Sequence, residues 1–428
     1  MINNRSIEVF GKGDSQSKLS LRDLRGIVEA ALSEIPKGAR VLAIIPDKTR
    51  DDITHLLIPL VAKALMTKEV ADFDALVAQG THGSMTHEEK CLKVGGTHGS
   101  LPSGLSHIYD HRWDHPDDLV IVGTLTAERV EELTDGLLKT EIPLSINFRL
   151  AKGVYDVVLI IGGTVPHEVV GFAGGAKYFF PGVSGPELTH ATHWLGALVT
   201  IEKTIGRIET PTRRLIEASA DFITPPIISF TSVSTRSEHN ELRTHALFAG
   251  DYRAAFRKAA EVSKSVHIKY VTKKYARVVA MLDDHYEDLW VGGKASYKLG
   301  GILENGGELV IYAPHLRSIS ETHGELIARF GYAPLEVILE QLAESVELQN
   351  NLCVAAHLTH VSYGSRKDAR GKIQPKYRIT LATQIGAEVC AKINLNYLDP
   401  TKFSIADYAS DENTLIVEKA GRDLYLLK

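Results

Sequence analysis

Short runs of apolar, β-favouring residues alternate along this chain with longer stretches in which apolar residues recur at helical spacing. In the first half, the runs that predict strands are Val41–Ile45, Phe73–Val77, Leu119–Val122, Val157–Ile161 and Ile227–Val233, and those at Val41 and Val157 read as buried. A helical pattern such as Ile53–Leu65 follows several of these runs. Strands separated by helical segments predict an α/β fold with a mainly parallel sheet flanked by helices.

The same alternation restarts in the second half of the chain. Further strands are predicted at Ala276–Leu282, Glu308–Tyr312 and Leu352–Ala356. A chain of 428 residues is too long for one ordinary core. We therefore expect two α/β domains, residues 1–270 and residues 271–428, with the last residues able to pack back on the first domain. Ligand clefts often lie between two such domains, so we expect the active site there.

Composition narrows the class of protein. The chain is 44% hydrophobic and 24% charged, as soluble globular proteins are. A net charge of -5 without a basic block predicts no binding to nucleic acid or to an anionic membrane. The first residues lack the apolar core of a signal peptide, and no apolar run is long enough to cross a membrane. The cysteines, Cys91, Cys353 and Cys390, are too far apart for a zinc set, so we expect a cytoplasmic protein.

One segment, Gly162–Trp194, concentrates reactive side chains directly after a predicted strand. It contains His167, Lys177, His190 and His193 within a Gly-rich stretch. Open α/β sheets bind ligands at the carboxyl edge of their strands, where this segment begins. A lone histidine is more often a polar surface residue, but reactive groups cluster at functional sites. The segment is therefore the principal candidate site.

Two further loops should lie at the same sheet edge. Asp47–Arg50 follows the first buried strand and precedes a helix, whose N-terminus suits an anion. Capping of that helix by Asp51 or Asp52, with a solvated arginine, is an equally good explanation. Gly80–Gly83 follows the next strand and carries His82, whereas the similar Gly96–Gly99, with His98, does not leave a strand. We take His82 as the candidate.

These motifs together resemble the nickel-dependent lactate racemase family over most of the chain. Asp47–Arg50 is similar to its D-x-T-R loop, and Gln79–Glu89 to its G-x-H loop with the following T-x-E-E. His167–His193, with Gly171–Lys177 and Pro181–Gly182 inside it, is similar to the cofactor segment. Trp290–Lys294, within a predicted helix Leu289–Leu299, resembles the substrate-side helix.

The resemblance implies a nickel-pincer nucleotide as cofactor, a pyridinium mononucleotide with thioamide and thiocarboxylate groups that hold Ni through two sulfurs and a ring carbon. Lys177 would be its covalent tether. Asp47, Thr49, Gly174 and Gly175 would contact the cofactor. His193 would complete a square-planar nickel site, the geometry expected of Ni(II). Cofactor-biosynthesis proteins would then be partners of this chain.

The resemblance also implies the reaction, racemisation or epimerisation at C2 of a small-molecule 2-hydroxy acid by reversible hydride transfer. His82 and His167 would be the two acid/base residues, a role that suits histidine because its pKa lies near working pH. Arg50 and Lys294 would bind the substrate carboxylate, and Trp290 would line the substrate site.

The sequence departs from the family pattern near the substrate. Gly83 stands where arginine is usual, Asp51 where proline is usual, Trp290 in place of tyrosine and Val291 in place of glutamine. We therefore expect a substrate larger than lactate, a hydroxy diacid or a sugar acid. A non-catalytic protein that binds or carries nickel or its nucleotide is the alternative, although a carrier would not need both His82 and His167. A nicotinamide dehydrogenase is disfavoured because no G-x-G-x-x-G motif leads a βα unit.

Overall fold

The computed structural model describes residues 7–237 and 241–428. The strands are β1 Phe10–Gly13, β2 Arg40–Ile45, β3 Asp72–Val77, β4 Ile108–Asp110, β5 Leu119–Leu125, β6 Ile142–Asn147, β7 Val157–Gly163, β8 Pro166–His167, β9 Gly171–Phe172, β10 Ile227–Arg236, β11 Leu242–Gly250, β12 Ile268–Val271, β13 Tyr275–Met281, β14 Leu303–Ala313, β15 Ser365–Lys367, β16 Ile373–Pro375, β17 Arg378–Thr383, β18 Asn396–Tyr397, β19 Thr414–Val417 and β20 Leu424–Leu427.

The helices are α1 Leu21–Ala31, α2 Thr54–Thr67, α3 His87–Lys93, α4 Ala127–Leu133, α5 Pro186–Val199, α6 Ile201–Thr204, α7 Pro211–Ala220, α8 Tyr252–His267, α9 Leu289–Gly292, α10 Lys294–Leu299, α11 Gly324–Phe330, α12 Leu335–Glu344, α13 Val346–Gln349, α14 Leu352–Ser362, α15 Ala387–Lys392 and α16 Ala406–Ala409. Short 3₁₀ turns lie at Pro116–Asp118, Phe148–Leu150, Gly175–Tyr178, Gly300–Ile302 and Pro400–Lys402.

The chain forms two compact units. The first comprises residues up to Val165 together with Val170–Thr192 and Ile208–Val266, and the second comprises Pro166–Val169, His193–Arg207 and His267–Lys428. A linear boundary at residue 270 would leave the two short segments, 166–169 and 193–207, with the first unit. Contacts in the folded chain group them with the second.

The first unit is built on a seven-stranded sheet in the order β1-β11-β10-β7-β2-β3-β4. The pairs from β10 to β4 are parallel, and β11 pairs antiparallel with both β1 and β10. The central strands β2 and β7 are buried along almost their whole length, which explains their continuous apolar sequences. Parallel strands with helical crossovers confirm the predicted α/β class.

Helices α1 and α2 contribute much of the core on one face of this sheet. Leu24 and Val28 of α1 pack in one buried cluster with Leu57 and Val61 of α2. Helix α1 begins at a capping box in which the Ser20 side chain accepts from Asp23 N–H and the Asp23 carboxylate accepts from Ser20 N–H. These contacts fix the carboxyl edge of β2 and β3, from which two of the candidate loops leave.

The second unit contains a five-stranded sheet in the order β18-β17-β14-β13-β19, with every pair parallel. Its core strands read as apolar runs, and Val278–Ala280 of β13 is fully buried. Helix α14 is buried from Cys353 to its last residue, Ser362. This second α/β arrangement agrees with the fold class expected from the sequence.

Two local predictions need correction. Leu352–Ala356, expected as a strand, begins helix α14. An all-round apolar run carries no periodicity, so a buried helix and a buried strand look alike in sequence. The predicted helix Leu289–Leu299 is divided into α9 and α10 at Gly293. Among the described residues, no helix combines the length and the apolar character needed to cross a membrane.

Candidate functional site

The loop after β2 is organised around a buried carboxylate. Asp47 is only 3% exposed, and its Oδ1 accepts hydrogen bonds from Thr49 N–H at 2.9 Å and from the Thr49 hydroxyl at 2.6 Å. Arg50 N–H donates to the Asp47 carbonyl, which closes a tight turn. The short sequence Asp-Lys-Thr-Arg therefore folds on itself, because its aspartate side chain replaces the missing backbone partners.

The second carboxylate oxygen of Asp47 meets the imidazole of His82. His82 Nδ1 lies 2.7 Å from Asp47 Oδ2. Burial opposes ionisation of Asp47, but the charge and hydrogen bond of His82, the charge of Arg50 and the Thr49 hydroxyl together hold its pKa well below the ordinary range. An ionised carboxylate can only accept, so Nδ1 of His82 is the donor. A neutral His82 ring therefore carries its lone pair on Nε2.

Three ion pairs hold the Asp47–Asp52 loop in place. Lys93 donates to the Asp52 carboxylate at 3.1 Å and to the Arg50 carbonyl at 2.9 Å, from a side chain that is almost buried. Lys48 pairs with Glu89 of the α3 capping box, and Arg236 pairs with Asp51. Asp52 Oδ1 also accepts from Thr54 N–H, the first residue of α2, but the N-cap residue of this helix is Ile53, without a side-chain cap, so neither Asp51 nor Asp52 is the N-cap.

The Arg50 side chain is left available by these contacts. Its backbone is bonded at both polar groups, but within residues 7–237 and 241–428 its guanidinium makes no hydrogen bond or ion pair. The side chain is half-buried and close enough to Asp47 to influence that carboxyl. A planar, partly desolvated cation of this kind is well suited to bind a carboxylate with two hydrogen bonds.

The loop of His82 is connected to the turn that carries Lys177. Gly80 N–H donates to the Gly182 carbonyl at 3.0 Å, and Gly182 N–H donates to the Lys177 carbonyl at 3.1 Å. A Cβ at Gly182 would lie 2.4 Å from the carbonyl oxygen of Tyr178, so only glycine fits there. One glycine thus links the histidine loop to the lysine turn.

The two glycines before Lys177 are required by packing and by backbone conformation. Gly174 has φ 104° and Gly175 has φ 60°. A Cβ at Gly174 would lie 2.5 Å from Thr164 Oγ1, and one at Gly175 would lie 3.1 Å from Phe256 Cβ. These contacts explain the Gly-Gly pair without a ligand. Its predicted contact with a cofactor stays a prediction.

Helix α5 carries both His190 and His193, and their surroundings differ. The His190 ring makes an edge contact with Trp113, with centroids 5.8 Å apart, and burial lowers its pKa against the opposing charge of Glu187. His193 belongs to the second unit, where its charge influences the buried imidazole of His357. Since an aromatic neighbour accounts for His190, His193 remains the better candidate as a metal ligand.

His167 lies in the second unit and is buried. Its Nδ1 accepts a hydrogen bond from Val169 N–H at 3.1 Å, so a neutral ring carries its proton on Nε2. Glu168 Oε2 lies 3.5 Å from the same nitrogen. The Pro166 carbonyl, one residue before His167, accepts from the buried ammonium of Lys298 at 2.8 Å. Backbone contacts on both sides therefore fix the orientation of this histidine.

Trp290 contacts two imidazoles in the second unit. Its ring stacks on His357 with centroids 4.0 Å apart and contacts His323 at 4.6 Å. His357 is fixed in turn by the hydroxyls of Tyr297 at Nδ1 and Tyr332 at Nε2. Burial, followed by the charges of neighbouring histidines, holds the pKa of His357 well below its usual value. Trp290 is therefore a rigid apolar surface.

Lys294 begins α10, one turn after Trp290, and its ammonium lies 5.8 Å from the centre of the Tyr286 ring. Thus Asp47, Thr49, Arg50, His82 and the turn of Lys177 come together in the first unit, whereas His167, His193, Trp290 and Lys294 belong to the second. His98 lies in an exposed turn after α3 and contacts none of these groups.

Sequence reasoning missed the pairing of Asp47 with His82 and considered the aspartate only as a cofactor contact, which stays a prediction. A signal was present, since both residues follow adjacent strands and β2 pairs with β3 up to Ile45 and Val77. The contact of Lys298 with Pro166 could not be found in this way. Nothing in a single sequence distinguishes Lys298 from other helical lysines.

Comparisons with known proteins agree with this description. Residues 20–206 match the family model of the lactate racemase N-terminal domain. A crystal structure of a protein from Thermotoga maritima is similar over 97% of this chain and 100% of its own, with 31% sequence identity and a TM-score of 0.88. The lactate racemase apoprotein from Thermoanaerobacterium thermosaccharolyticum is similar over 100% of this chain and 96% of its own, with 17% identity and a TM-score of 0.68. No match was found among curated proteins.

The fold and these matches define an α/β protein with a lactate racemase-like fold, whose residues 20–206 match the N-terminal domain of that family. The chain belongs to the lactate racemase-like family.

Proposed function

We propose that this protein racemises or epimerises a 2-hydroxy acid at C2, with His82 and His167 as acid/base residues and a nickel-pincer nucleotide as cofactor. The observation that carries the proposal is the Asp47–His82 pair, joined through Gly182 to the turn of Lys177 and adjacent to the available guanidinium of Arg50. A base, an orienting carboxylate, a cation and a nucleophilic amine are thereby brought to one edge of one sheet.

Of the two proposed acid/base residues, His82 has the hydrogen-bond partner that best supports its role. Its Nδ1–H is donated to Asp47, so Nε2 can take the proton of the substrate hydroxyl. The imidazolium that forms is stabilised by the buried, ionised Asp47 at 2.7 Å. Arg50, on the same loop, binds the carboxylate of the substrate and so orients its neighbouring C2 and hydroxyl. Lys294 is proposed as a second carboxylate ligand.

His167 serves the opposite enantiomer in this proposal. The Val169 N–H at its Nδ1 places the exchangeable proton of the neutral ring on Nε2. A neutral ring in this state donates a hydrogen bond to a substrate oxygen through Nε2–H, whereas neutral His82 accepts a proton at Nε2. The two neutral histidines thus differ in tautomer. His82 takes up the hydroxyl proton of one enantiomer, and His167 gives a proton to the oxygen of the other only from its imidazolium form, which Glu168 Oε2 at 3.5 Å would stabilise.

The residues present fit the implied cofactor. Lys177 lies on a short turn that is fixed on both sides, as a covalent tether requires, and His193 offers a half-buried imidazole, a suitable ligand for Ni. Asp47 and Thr49 are already satisfied by each other and by His82, so we assign them to orienting the base in addition to the cofactor contact expected from the sequence. When bound, the nucleotide would supply a reversible hydride acceptor.

The substrate is proposed to be longer than lactate. A Cβ at Gly83 would meet no atom within 4 Å, so the position where the family usually has arginine opens to space next to His82. In the second unit, Trp290 is a rigid apolar wall, and Val291 offers no hydrogen bond in place of the usual glutamine. Lost polar partners weaken binding of a small polar substrate, and a longer acid can fill the space.

The experiment is a chiral assay of cofactor-loaded protein with pure enantiomers of lactate, malate and gluconate. We expect interconversion at C2, with kcat/KM for malate or gluconate above that for lactate. If lactate is the best substrate, the proposed substrate class is wrong but the reaction stands. If loaded protein with an intact Lys177 adduct interconverts none of the acids while retaining nickel, the function of a non-catalytic nickel or nucleotide carrier is favoured instead.

A further inference from the structure

A buried arginine that the proposed reaction does not use makes hydrogen bonds to the segment that leads to Lys177. Arg213, on α7, has no exposed surface. Its Nη1 donates to the Gly174 carbonyl at 3.0 Å, and its Nη2 donates to the Phe172 carbonyl. The guanidinium also lies over the Phe256 ring, 4.0 Å from its centre. The same Phe256 packs against Gly175, since its Cβ would lie 3.1 Å from a Cβ at that glycine.

Within the part of the chain that the structure describes, the charge of Arg213 has no neutralising partner nearby. Among the described residues, no carboxylate lies within 4.0 Å of its guanidinium, and its Nε atom makes no hydrogen bond. Burial lowers the pKa of Arg213 to about 10, against the more distant charges of Glu217 and Glu209. A buried cation is costly, and an apolar residue of similar size often serves stability as well or better. Its presence therefore calls for an explanation beyond packing.

The position of its two acceptors gives that explanation. The Gly174 carbonyl also accepts from Lys177 N–H at 3.4 Å, so it is the first carbonyl of the turn that carries Lys177. The Phe172 carbonyl lies two residues earlier, on the strand that enters the turn. Both carbonyls are directed at one planar group with a rigid fork of donors. Lysine, with a flexible ammonium, can donate to two carbonyls but holds them in a less fixed geometry than the planar fork of arginine.

We propose that Arg213 is a positioning residue for Lys177, which fixes the direction of the lysine amine by holding the Phe172 and Gly174 carbonyls from beneath. The inference rests on the proposed role of Lys177 as the tether. It predicts that Arg213 determines how readily the amine reacts, separately from how stable the protein is.

The test compares Arg213→Met and Arg213→Lys with Arg214→Met as the matched control. Arg214 is the next residue of α7 and contacts the Leu133 carbonyl and Asp135, away from the turn. In protein without cofactor, a small amine-acylating reagent is applied, and peptide mass spectrometry gives the labelling rate of Lys177 relative to Lys139, which is 71% exposed. Thermal unfolding is recorded for each variant.

We expect Arg213→Met to change the Lys177/Lys139 ratio at least threefold, Arg213→Lys to restore part of the change, and Arg214→Met to leave the ratio as in the wild type. In protein co-expressed with its cofactor-making partners, the intact-mass adduct on Lys177 should fall at least tenfold in Arg213→Met. An unchanged ratio in both Arg213 variants, with only the melting temperature lowered, would show a structural role and overturn the proposal. If Arg213→Met does not fold, the Lys variant decides by the same ratio.

Failure of the tether role of Lys177 can be distinguished from failure of the positioning role of Arg213. A wild-type protein that never carries an adduct, despite the cofactor-making partners, contradicts the proposed role of Lys177 as the tether, whereas the labelling ratio in cofactor-free protein still tests Arg213. A normal adduct in the wild type and an equal adduct in Arg213→Met contradicts the positioning role alone.

Discussion

Replacement of Asp47 by asparagine tests the orientation of His82 with almost no change of shape. The Oδ1 atom of the new side chain can still accept from Thr49 N–H and from its hydroxyl. The atom that faces His82 Nδ1, 2.7 Å away, becomes an NH₂ donor. The imidazole must then turn Nδ1 into an acceptor, which moves its proton to Nε2, the nitrogen proposed to act as the base.

Two effects lower the kcat of the Asp47→Asn variant. A hydrogen bond to a charged group contributes about 1.5–3 kcal/mol, or roughly 10- to 150-fold in rate. The unfavourable tautomer adds a further penalty, and the equivalent aspartate-to-asparagine change in serine proteases lowers kcat about 10⁴-fold. We therefore expect Asp47→Asn to reduce kcat about 10²- to 10⁴-fold, with KM changed much less because Arg50 is retained.

The assay is the chiral conversion of both enantiomers by loaded protein, together with the ¹⁵N NMR spectrum of selectively labelled histidines in the cofactor-free protein. Asp52→Asn is the control, because Asp52 is a buried carboxylate of the same loop that pairs with Lys93 instead. The control should lower stability but leave the His82 signal unchanged. Activity of Asp47→Asn within threefold of wild type, or a His82 spectrum with the same tautomer, would refute the orienting role of Asp47.

Three further predictions concern the metal, the fold and the substrate. Nickel content should fall to background in His193→Ala and stay near wild type in His190→Ala, as measured by elemental analysis; equal nickel in wild type and His193→Ala removes the assignment. Burial lowers the pKa of His111 to about 4, while its Nε2–H donates to the Ser184 carbonyl. The imidazole of His111 therefore takes up a proton near pH 6.5 in the unfolded chain but not in the folded chain. Its contribution to the free energy of unfolding is fully present above pH 6.5 and is lost as the pH falls toward 4. The loss from pH 7.5 to pH 5 is about 2 kcal/mol, and chemical denaturation should show it in wild type but not in His111→Gln; identical pH dependence of the two would contradict it. Gly83→Arg should restore a donor in open space and shift the kcat/KM ratio toward lactate, and an unchanged ratio would mean that this position does not determine the substrate.

Much of this architecture could be predicted from the sequence, because its signals are local. The runs at Val41–Ile45 and Val157–Ile161 are strands of one parallel sheet, and capping boxes at Ser20 and Thr86 begin two of the helices. Patterns of apolar residues indicate which positions are buried, and capping residues indicate where helices begin. Both can be recognised without knowledge of the fold. The run at Leu352 failed because burial on all sides erases periodicity.

The parts of the site that could not be predicted are those made by contacts between distant segments. Asp47 and His82 each stood out as members of a motif, but their pairing depends on the register of two strands. Arg213 is separated from Gly174 by 39 residues and looks in sequence like an ordinary helical arginine. Its burial and its two carbonyl acceptors are visible only in the folded chain. Motifs therefore identify the residues that carry chemistry, whereas the residues that orient them require a structure.

The most direct test of the proposed reaction follows the hydrogen on C2. A single enantiomer of the preferred 2-hydroxy acid, deuterated at C2, is incubated in ordinary water with loaded protein, and the opposite enantiomer is isolated at partial conversion. We expect that product to retain its deuterium, because the hydrogen leaves and returns as hydride without exchange while the histidines move only the hydroxyl proton. Complete replacement of the deuterium by solvent hydrogen would contradict this mechanism and would show instead that His82 or His167 abstracts the C2 proton directly.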